Sequence, residues 1–283
     1  MLEHTFLHLH GVGDKTEKLF WQEGIRDWQE LQVAAQRQLL PGRRRLFSVE
    51  EQLARSRENL EEGNARYFAT LLSSREKWRL FARFQPETAY LDIETTGLGR
   101  GNDHITTISL YDGQAVRCYI WGENLQQFVE DIQPYRLLIT YNGECFDLPF
   151  IERQFNISLG KAHLDLRFVL AGLGYRGGLK GCERQLGIDR GLLGDVDGYT
   201  AVLLWQEYRR SGDRRLLETL LAYNVEDTLN LETLACLAYN EAIADTPFSR
   251  EKINLPQGRC PLPFQPDPAV LARFSRRMIV DGF

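Results

Sequence analysis

The spacing of apolar residues along the chain changes near Pro86. Upstream of it, apolar side chains recur at helical spacing around several glycines, which predicts two short helices within residues 4 to 35. Two Ser-x-x-Glu pairs farther along are typical of helix starts, and they predict helices over residues 48 to 62 and 74 to 84. We therefore expect residues 1 to 86 to form a small all-helical domain.

Downstream of Pro86 the pattern becomes that of an α/β domain, which we assign to residues 87 to 245. Three β-type runs come first, and an Asp-Gly turn between the last two predicts an antiparallel meander. Helices and a strand then alternate, as an α/β sheet requires. The predicted segments are strands at 89 to 93, 104 to 111, 114 to 121 and 137 to 140, and helices at 124 to 132, after Pro149 and at 214 to 243.

The last segment, residues 246 to 283, contains five prolines between 256 and 268, which predict an extended tail. Within it, Asp267 followed by Pro268 is typical of the start of a short helix.

Charge and composition narrow the possible functions. The net charge is -5, and it is uneven: residues 1 to 88 carry 14 Lys and Arg against 13 Asp and Glu, whereas residues 89 to 283 carry 20 against 26. A nucleic-acid partner must therefore be argued from local features rather than from a basic excess. The five cysteines show no C-x-x-C spacing, and no apolar run approaches 18 residues. We expect a cytoplasmic protein that neither spans nor binds a membrane.

Two carboxylates stand two residues apart at the end of the first predicted strand, in LDIETTGL. Side chains at i and i+2 of a strand share a face, so Asp92 and Glu94 point the same way, roughly 6 to 7 Å apart. Unpaired buried carboxylates are costly, and a hard cation such as Mg²⁺ or Mn²⁺ would neutralise them. The alternative is that both residues merely cap a turn.

Two later clusters carry further candidates. Asp147 follows the strand at 137 to 140 and lies near a helix start, where the helix N-terminus favours an anion. Tyr223 and Asp227 are four residues apart and share one face of the long helix. Taken singly, Asp147 is typical of an ordinary helix start and Tyr223 of a core residue. The occurrence of all three clusters in this order indicates a functional site much more specifically than any one cluster does.

Three sequence segments resemble the YprB ribonuclease H-like family, within the tyrosine branch of the DEDD exonuclease superfamily. They are AYLDIETTGL, TYNGECFDLPF and AYNVEDTLNLETL. The resemblance covers about residues 78 to 240 and implies an RNase H-like mixed five-stranded sheet flanked by helices. It further implies two divalent ions, Mg²⁺ or Mn²⁺, held by Asp92, Glu94, Asp147 and Asp227. A histidine-branch member would carry His where this chain has Ala222.

The activity implied is phosphodiester hydrolysis, with 3′ to 5′ exonucleolytic action on single-stranded DNA or frayed ends. Tyr223 would orient the attacking water, because a phenol with a pKa near 10 is a weak base at neutral pH. Two alternatives stay open: an RNA exonuclease or structure-specific endonuclease, and a nucleic-acid-binding module that has lost turnover.

Several residues are expected to contact the substrate. Gly11, Gly13 and Lys15 lie in a segment that looks like a helix-hairpin-helix, whose turn amides contact phosphates. Glu17 stands where that pattern commonly has alanine, and it is expected to weaken the unit, so a structural or protein-binding role is the alternative. The remaining substrate candidates are Thr95, Asn142, Phe146 and Lys180.

Two further features have less specific meanings. Asp165 is expected either to cap the next helix or to support the metal ligands from behind. Gly172, Gly174 and Gly177 form a G-x-G-x-x-G, which raises an NAD-dependent oxidoreductase as a rival, but the βαβ context that such a loop needs is not evident.

Overall fold

The structure is a computed structural model that describes residues 1 to 41, 48 to 98, 101 to 258 and 260 to 280, without the side chains of 275 to 280. Its N-terminal third is helical, as the sequence predicts. The helices are α1 Asp14–Gln22, α2 Trp28–Gln36, α3 Val49–Glu61, α4 Ala65–Leu71 and α5 Phe81–Phe84, with 3-10 turns at Leu2–His4, Lys77–Leu80 and Gln85–Glu87.

A mixed five-stranded sheet follows, so the predicted fold class is confirmed. The strands are β1 Thr88–Thr95, β2 Ile105–Tyr111, β3 Val116–Ile120, β4 Leu137–Thr140 and β5 Ala162–Asp165, in the spatial order β3-β2-β1-β4-β5. The first three strands form the predicted antiparallel meander. The last two run parallel to β1, so their carboxyl ends lie at the edge where β1 ends.

Seven helices accompany or follow the sheet in the described residues. They are α6 Phe128–Asp131, α7 Asp147–Phe155, α8 Leu166–Leu173, α9 Gly178–Gln185, α10 Gly198–Ser211, α11 Arg214–Ala244 and α12 Pro268–Val280. The side chain of Asp267 accepts hydrogen bonds from the N–H groups of Ala269 and Val270, which confirms the predicted start of α12.

Some predicted elements differ from the structure. Residues 74 to 84 form a turn, a 3-10 helix and α5 instead of one helix. Ser48 has a left-handed backbone and makes no side-chain cap, although α3 still begins beside it. Helices α4 and α10 were missed, yet each begins after a side chain that caps it, Asn64 and Asp197 respectively. Residues 178 to 181, expected in a loop, begin α9.

The sheet separates two apolar clusters. Alternate residues of β1 pack on opposite sides: Leu91 and Ile93 join α6 and α7 on one side, whereas Tyr90 faces α11 on the other. Because Asp92 and Glu94 share the parity of Tyr90, their carboxylates also face α11. The strand period therefore decides which helix the acidic pair meets.

The N-terminal helices are fixed to the rest of the chain by a buried ionic contact. The Glu17 carboxylate accepts hydrogen bonds from the Thr5 hydroxyl and the Phe6 N–H, each at 2.7 Å, and pairs with Arg79 at 3.0 Å. The Arg79 guanidinium also lies over the rings of Trp21 and Trp78. Glu17, expected to weaken this unit, instead ties α1 to the segment before the sheet. Among the described residues, no helix combines the length and apolar character needed to cross a bilayer.

Replacing Glu17 with Ala should lower the free energy of unfolding by roughly 3 kcal/mol, because the buried Arg79 would lose one of its two carboxylate partners and keep only the more exposed Glu76. Urea unfolding followed by circular dichroism measures the change. Lys18→Ala, an exposed neighbour on α1, is the control and should shift stability by no more than about 0.5 kcal/mol. Equal stability of the two variants would contradict the structural role of the Glu17 pair.

Candidate metal centre

The end of β1 carries two of the candidate carboxylates. Glu94 is buried and Asp92 is partly exposed, and both face α11. The register of β1 against β2 shifts between Glu94 and Thr95, a bulge of the kind that re-aims side chains beside active sites. The turn that follows requires Gly97, since an added Cβ would lie 2.6 Å from a carboxylate oxygen of Asp103.

Helix α11 brings the third carboxylate to this pair. Oxygen atoms of Asp92, Glu94 and Asp227 all lie within 4.8 Å of one another, although Asp227 follows Glu94 by 133 residues in sequence. Tyr223, one turn before Asp227 on the same helix, is 5% exposed. The structure therefore brings together four of the residues predicted to form the site.

Asp147 stands at the first position of α7, beside this group, but it is not one of the three carboxylates whose oxygens converge. The turn before it is built from Asn142, which has a left-handed backbone, and Gly143, where a Cβ would meet the Thr140 hydroxyl at 2.1 Å. Asp165 accepts hydrogen bonds from the N–H groups of Asn142 and Glu144 and also caps α8. Asp165 therefore caps α8, which is one of the two roles expected of it, and its other hydrogen bonds go to the turn before Asp147 rather than to a candidate metal ligand.

Burial raises the pKa of every candidate metal-binding carboxyl group in this site, and neighbouring negative charges raise it further. The pKa values of Asp92 and Glu94 lie well above their usual range, first because of burial and then because of the negative charges of Asp227 and Asp147. Burial also raises the pKa of Asp147 to about 7. The pKa of Asp227 rises only to about 6, since Arg190 offsets part of the cost of burial.

Two cations flank the Tyr223 ring. The Lys180 ammonium lies 5.4 Å from the ring centroid, and the Arg190 guanidinium lies 5.6 Å from it. Burial and the neighbouring carboxylates raise the pKa of Tyr223 well above 10, so its phenol stays protonated at neutral pH. A protonated phenol can donate a hydrogen bond in this site, but it cannot act there as a base.

Arg190 belongs to a buried polar network that sequence reasoning missed. One of its amino groups pairs with Asp227, and the other donates to both oxygens of Glu183 at 2.9 Å. Asn230, one turn after Asp227 on α11, donates to Glu183 at 2.8 Å. The sequence carries no periodic signal for this network, because its members lie on α9, on the segment after it and on α11.

A second missed residue, Asn224, orients Asp92. Its amide nitrogen donates to a carboxylate oxygen of Asp92 at 2.6 Å, and its amide oxygen accepts from the Thr107 hydroxyl at 3.1 Å. Asn224 is fully buried and follows Tyr223 directly. Its position inside the Tyr-Asn-x-x-Asp run was the available signal.

The predicted substrate contacts divide into two groups. Thr95, Asn142, Phe146 and Lys180 lie on the elements that form the site. Gly11, Gly13 and Lys15 do not lie on these elements. Helix α1 lines a cavity together with Ala242, near the end of α11. Ala242 follows Asp227 by fifteen positions on that helix, which corresponds to roughly 22 Å along the helix axis.

The G-x-G-x-x-G segment joins α8 to α9. A dinucleotide loop joins a strand to a helix, so this segment lacks the structural context of a nucleotide fingerprint.

The donor set fits a hard divalent cation. Three carboxylates converge from two elements under partial cover, and their raised pKa values show that positive charge or protons are needed there. Carboxylate oxygens are the ligands that Mg²⁺ and Mn²⁺ prefer. Asp92, Glu94 and Asp227 would hold such an ion, with Asp147 beside them.

The similarity of this chain to one solved structure is partial. A solved structure of the family B DNA polymerase from the hyperthermophilic archaeon Pyrobaculum calidifontis is similar at 16% identity and a TM-score of 0.43, over 58% of this chain and 26% of that one. The aligned region thus spans about a quarter of the polymerase. No protein of curated function matches the chain.

A family model described as the RNase_H superfamily matches residues 89 to 239, which run from β1 to near the end of α11. Because this match covers more than half of the sequence and contains the whole five-stranded sheet, the chain belongs to the RNase_H superfamily.

Proposed function

We propose that the protein is a metal-dependent nuclease that hydrolyses phosphodiester bonds, acting as a 3′ to 5′ exonuclease on single-stranded DNA or frayed ends. The observation that carries the proposal is the convergence of Asp92, Glu94 and Asp227 oxygens within 4.8 Å, in a chain of the RNase_H superfamily. Asp147 and Tyr223 stand beside them, as the tyrosine-branch resemblance implies.

In the proposed reaction, the oxygen of a water molecule forms a bond to phosphorus while the bond from phosphorus to the 3′ oxygen of the penultimate nucleotide breaks. The released nucleotide keeps the phosphate, and the leaving 3′ oxygen takes up a proton. Two Mg²⁺ or Mn²⁺ ions, when bound, would lower the pKa of the water and compensate the developing negative charge.

The side chains of this site have separate tasks in the proposed reaction. Asp92, Glu94, Asp147 and Asp227 hold the cations, and Asn224 fixes the orientation of Asp92. Tyr223 would orient the water through its protonated phenol, because burial raises the pKa of this side chain. Lys180, partly exposed beside Tyr223, is the side chain best placed to contact a phosphate oxygen.

Within the superfamily we propose the YprB family, on the strength of the three motifs. The N-terminal turn with Gly11, Gly13 and Lys15 stays a predicted nucleic-acid contact. Helix α1, which follows that turn, lines a cavity with Ala242. Since Ala242 lies roughly 22 Å along α11 from Asp227, the turn would hold a part of the nucleic acid remote from the bond that is cut.

The proposal is tested with end-labelled single-stranded and double-stranded DNA and RNA, incubated with Mn²⁺ or Mg²⁺ and resolved by length. A ladder that shortens from the 3′ end of DNA supports it. Internal cuts would favour an endonuclease, and binding without any product would favour a module that has lost turnover.

Asp92→Asn or Asp227→Asn should abolish cleavage while leaving the fold intact, because each removes a ligand from a site assembled from different elements. Turnover at saturating Mn²⁺, with circular dichroism as a check on folding, measures the effect. Glu218→Gln on α11 is the matched control and should retain wild-type turnover. Wild-type rates in either Asp variant would contradict the assignment of the metal ligands.

Tyr223→Phe should lower turnover by roughly 10²-fold to 10⁴-fold, the range for a positioned group that acts on water or a proton. Mn²⁺ affinity should stay unchanged, since no metal ligand is altered. Tyr239→Phe makes the same change at a buried position near the far end of α11, and we expect it to be silent. Equal turnover of the two variants would make Tyr223 a core residue only.

The contribution of Asp147 and Asp227 to the stability of the metal-free protein should fall as pH rises from about 4 to about 7. The pKa values of Asp147 and Asp227, about 7 and about 6 in the folded protein, exceed the usual 3.8, so the folded state binds more protons than the unfolded state in this window. Chemical denaturation in EDTA at several pH values measures how stability changes with pH, and the slope of stability against pH should be more positive in Asp147→Asn than in wild type. Parallel curves for Asp147→Asn and wild type would count against the raised pKa.

A further inference from the structure

One candidate metal ligand is shared with a buried cation. Asp227 faces Asp92 and Glu94 within 4.8 Å, and it also pairs with Arg190 through its Oδ1 atom. The Arg190 side chain is 5% exposed, so solvent screens this charge only weakly. Its other partner, Glu183, is fully buried and is held in turn by Asn230. The guanidinium therefore has a fixed position beside the cluster.

We infer that Arg190 is an internal counter-ion of the carboxylate cluster, which holds Asp227 when metal is absent and weakens the binding of a divalent ion to the free protein. This inference rests on the proposed function in one respect, namely that metal binds at Asp92, Glu94 and Asp227. It adds a positioning residue and states how that residue sets the affinity of the site.

Arg190 would weaken metal binding through its positive charge. A carboxylate that already neutralises a guanidinium offers less negative potential to an ion, and the guanidinium itself repels a dication. Charges a few ångströms apart near a protein surface interact several times more strongly than in water, because the effective dielectric constant is about 20 rather than about 80. Removing the positive charge should therefore change metal affinity by a factor of about 10 or more.

The alternative is that Arg190 only stabilises the fold. In that case, the Glu183–Arg190–Asp227 contacts would fasten α9 to α11, and their loss would destabilise the protein equally with and without metal. The counter-ion role makes a different prediction. If Arg190 and a metal ion both neutralise Asp227, then either one can substitute for the other.

The experiment measures Mn²⁺ binding to the full chain without nucleic acid, by electron paramagnetic resonance of the free ion. We expect Arg190→Gln, which keeps a hydrogen-bond donor but removes the charge, to bind Mn²⁺ at least about 10-fold more tightly than wild type. Arg190→Lys keeps the charge and should remain near wild type. Arg184→Gln removes an exposed charge from α9 and is the matched control.

Thermal unfolding of the same proteins in EDTA and in saturating Mn²⁺ gives a second measurement. Arg190→Gln should be clearly less stable than wild type in EDTA, and Mn²⁺ should remove most of that difference, because a tighter ligand stabilises the folded state more. A loss that is equal in both buffers would support the purely structural role and overturn the inference. So would Mn²⁺ binding by Arg190→Gln that is no tighter than that of wild type, or equal tightening in Arg190→Lys.

If Arg190→Gln does not fold, Glu183→Gln carries the test. That variant leaves Arg190 charged with one partner fewer, so Mn²⁺ binding should weaken, and unchanged or tighter binding would overturn the inference. Failure of the proposed function is distinguishable: in that case wild type itself would not bind Mn²⁺, or Asp92→Asn would bind it as wild type does.

Discussion

The repulsion between buried carboxylates is the constraint on which the arrangement of this molecule depends. Asp92, Glu94 and Asp227 converge within 4.8 Å, and burial together with their mutual charge raises their pKa values. Such a group persists only where protons or cations compensate it. Arg190 supplies part of the compensation from inside the protein. Helix α9 contributes to this arrangement, because Glu183 on that helix pairs with one amino group of Arg190 while Asp227 pairs with the other.

Helix α11 connects the carboxylate site to several other parts of the chain. Its first turns pack with α10 and α12, its middle carries Tyr223, Asn224 and Asp227 against β1, and its last turns pack against the N-terminal helices. Nearly every side of its middle third is covered, which is typical of a helix in the interior of a domain. The same element therefore supplies part of the core, part of the site and a packing surface for the segment that precedes the sheet. The Glu17 pair with Arg79 keeps α1 beside the far end of this helix.

Features with short sequence spacing could be read from the chain, and features that depend on distant partners could not. The two-residue strand period placed Asp92 and Glu94 on one face, and the four-residue helix period placed Tyr223 and Asp227 together. Arg190 gave no such signal, because its partners Glu183 and Asp227 lie seven and thirty-seven residues away on other elements. The structural role of Glu17 could not be predicted for the same reason, since nothing near it in the sequence indicates that Arg79 is its partner. Helices α4 and α10, by contrast, do follow capping residues in the sequence, Asn64 and Asp197, so their starts could be predicted from it.

The acidic surplus of residues 89 to 283 limits how this part of the chain can attract a nucleic acid. A polyanion gains little from the overall field of such a domain, so attraction must come from a few fixed positive charges near the site. Arg190 cannot provide it, because its guanidinium is buried and already shared between Glu183 and Asp227. Lys180 is different, because it is partly exposed and lies over the same Tyr223 ring. Burial and the charge of Arg190 lower the pKa of Lys180, and Asp227 offsets part of that decrease. The two cations beside Tyr223 therefore face different partners, one inside the protein and the other at the surface where a phosphate would arrive.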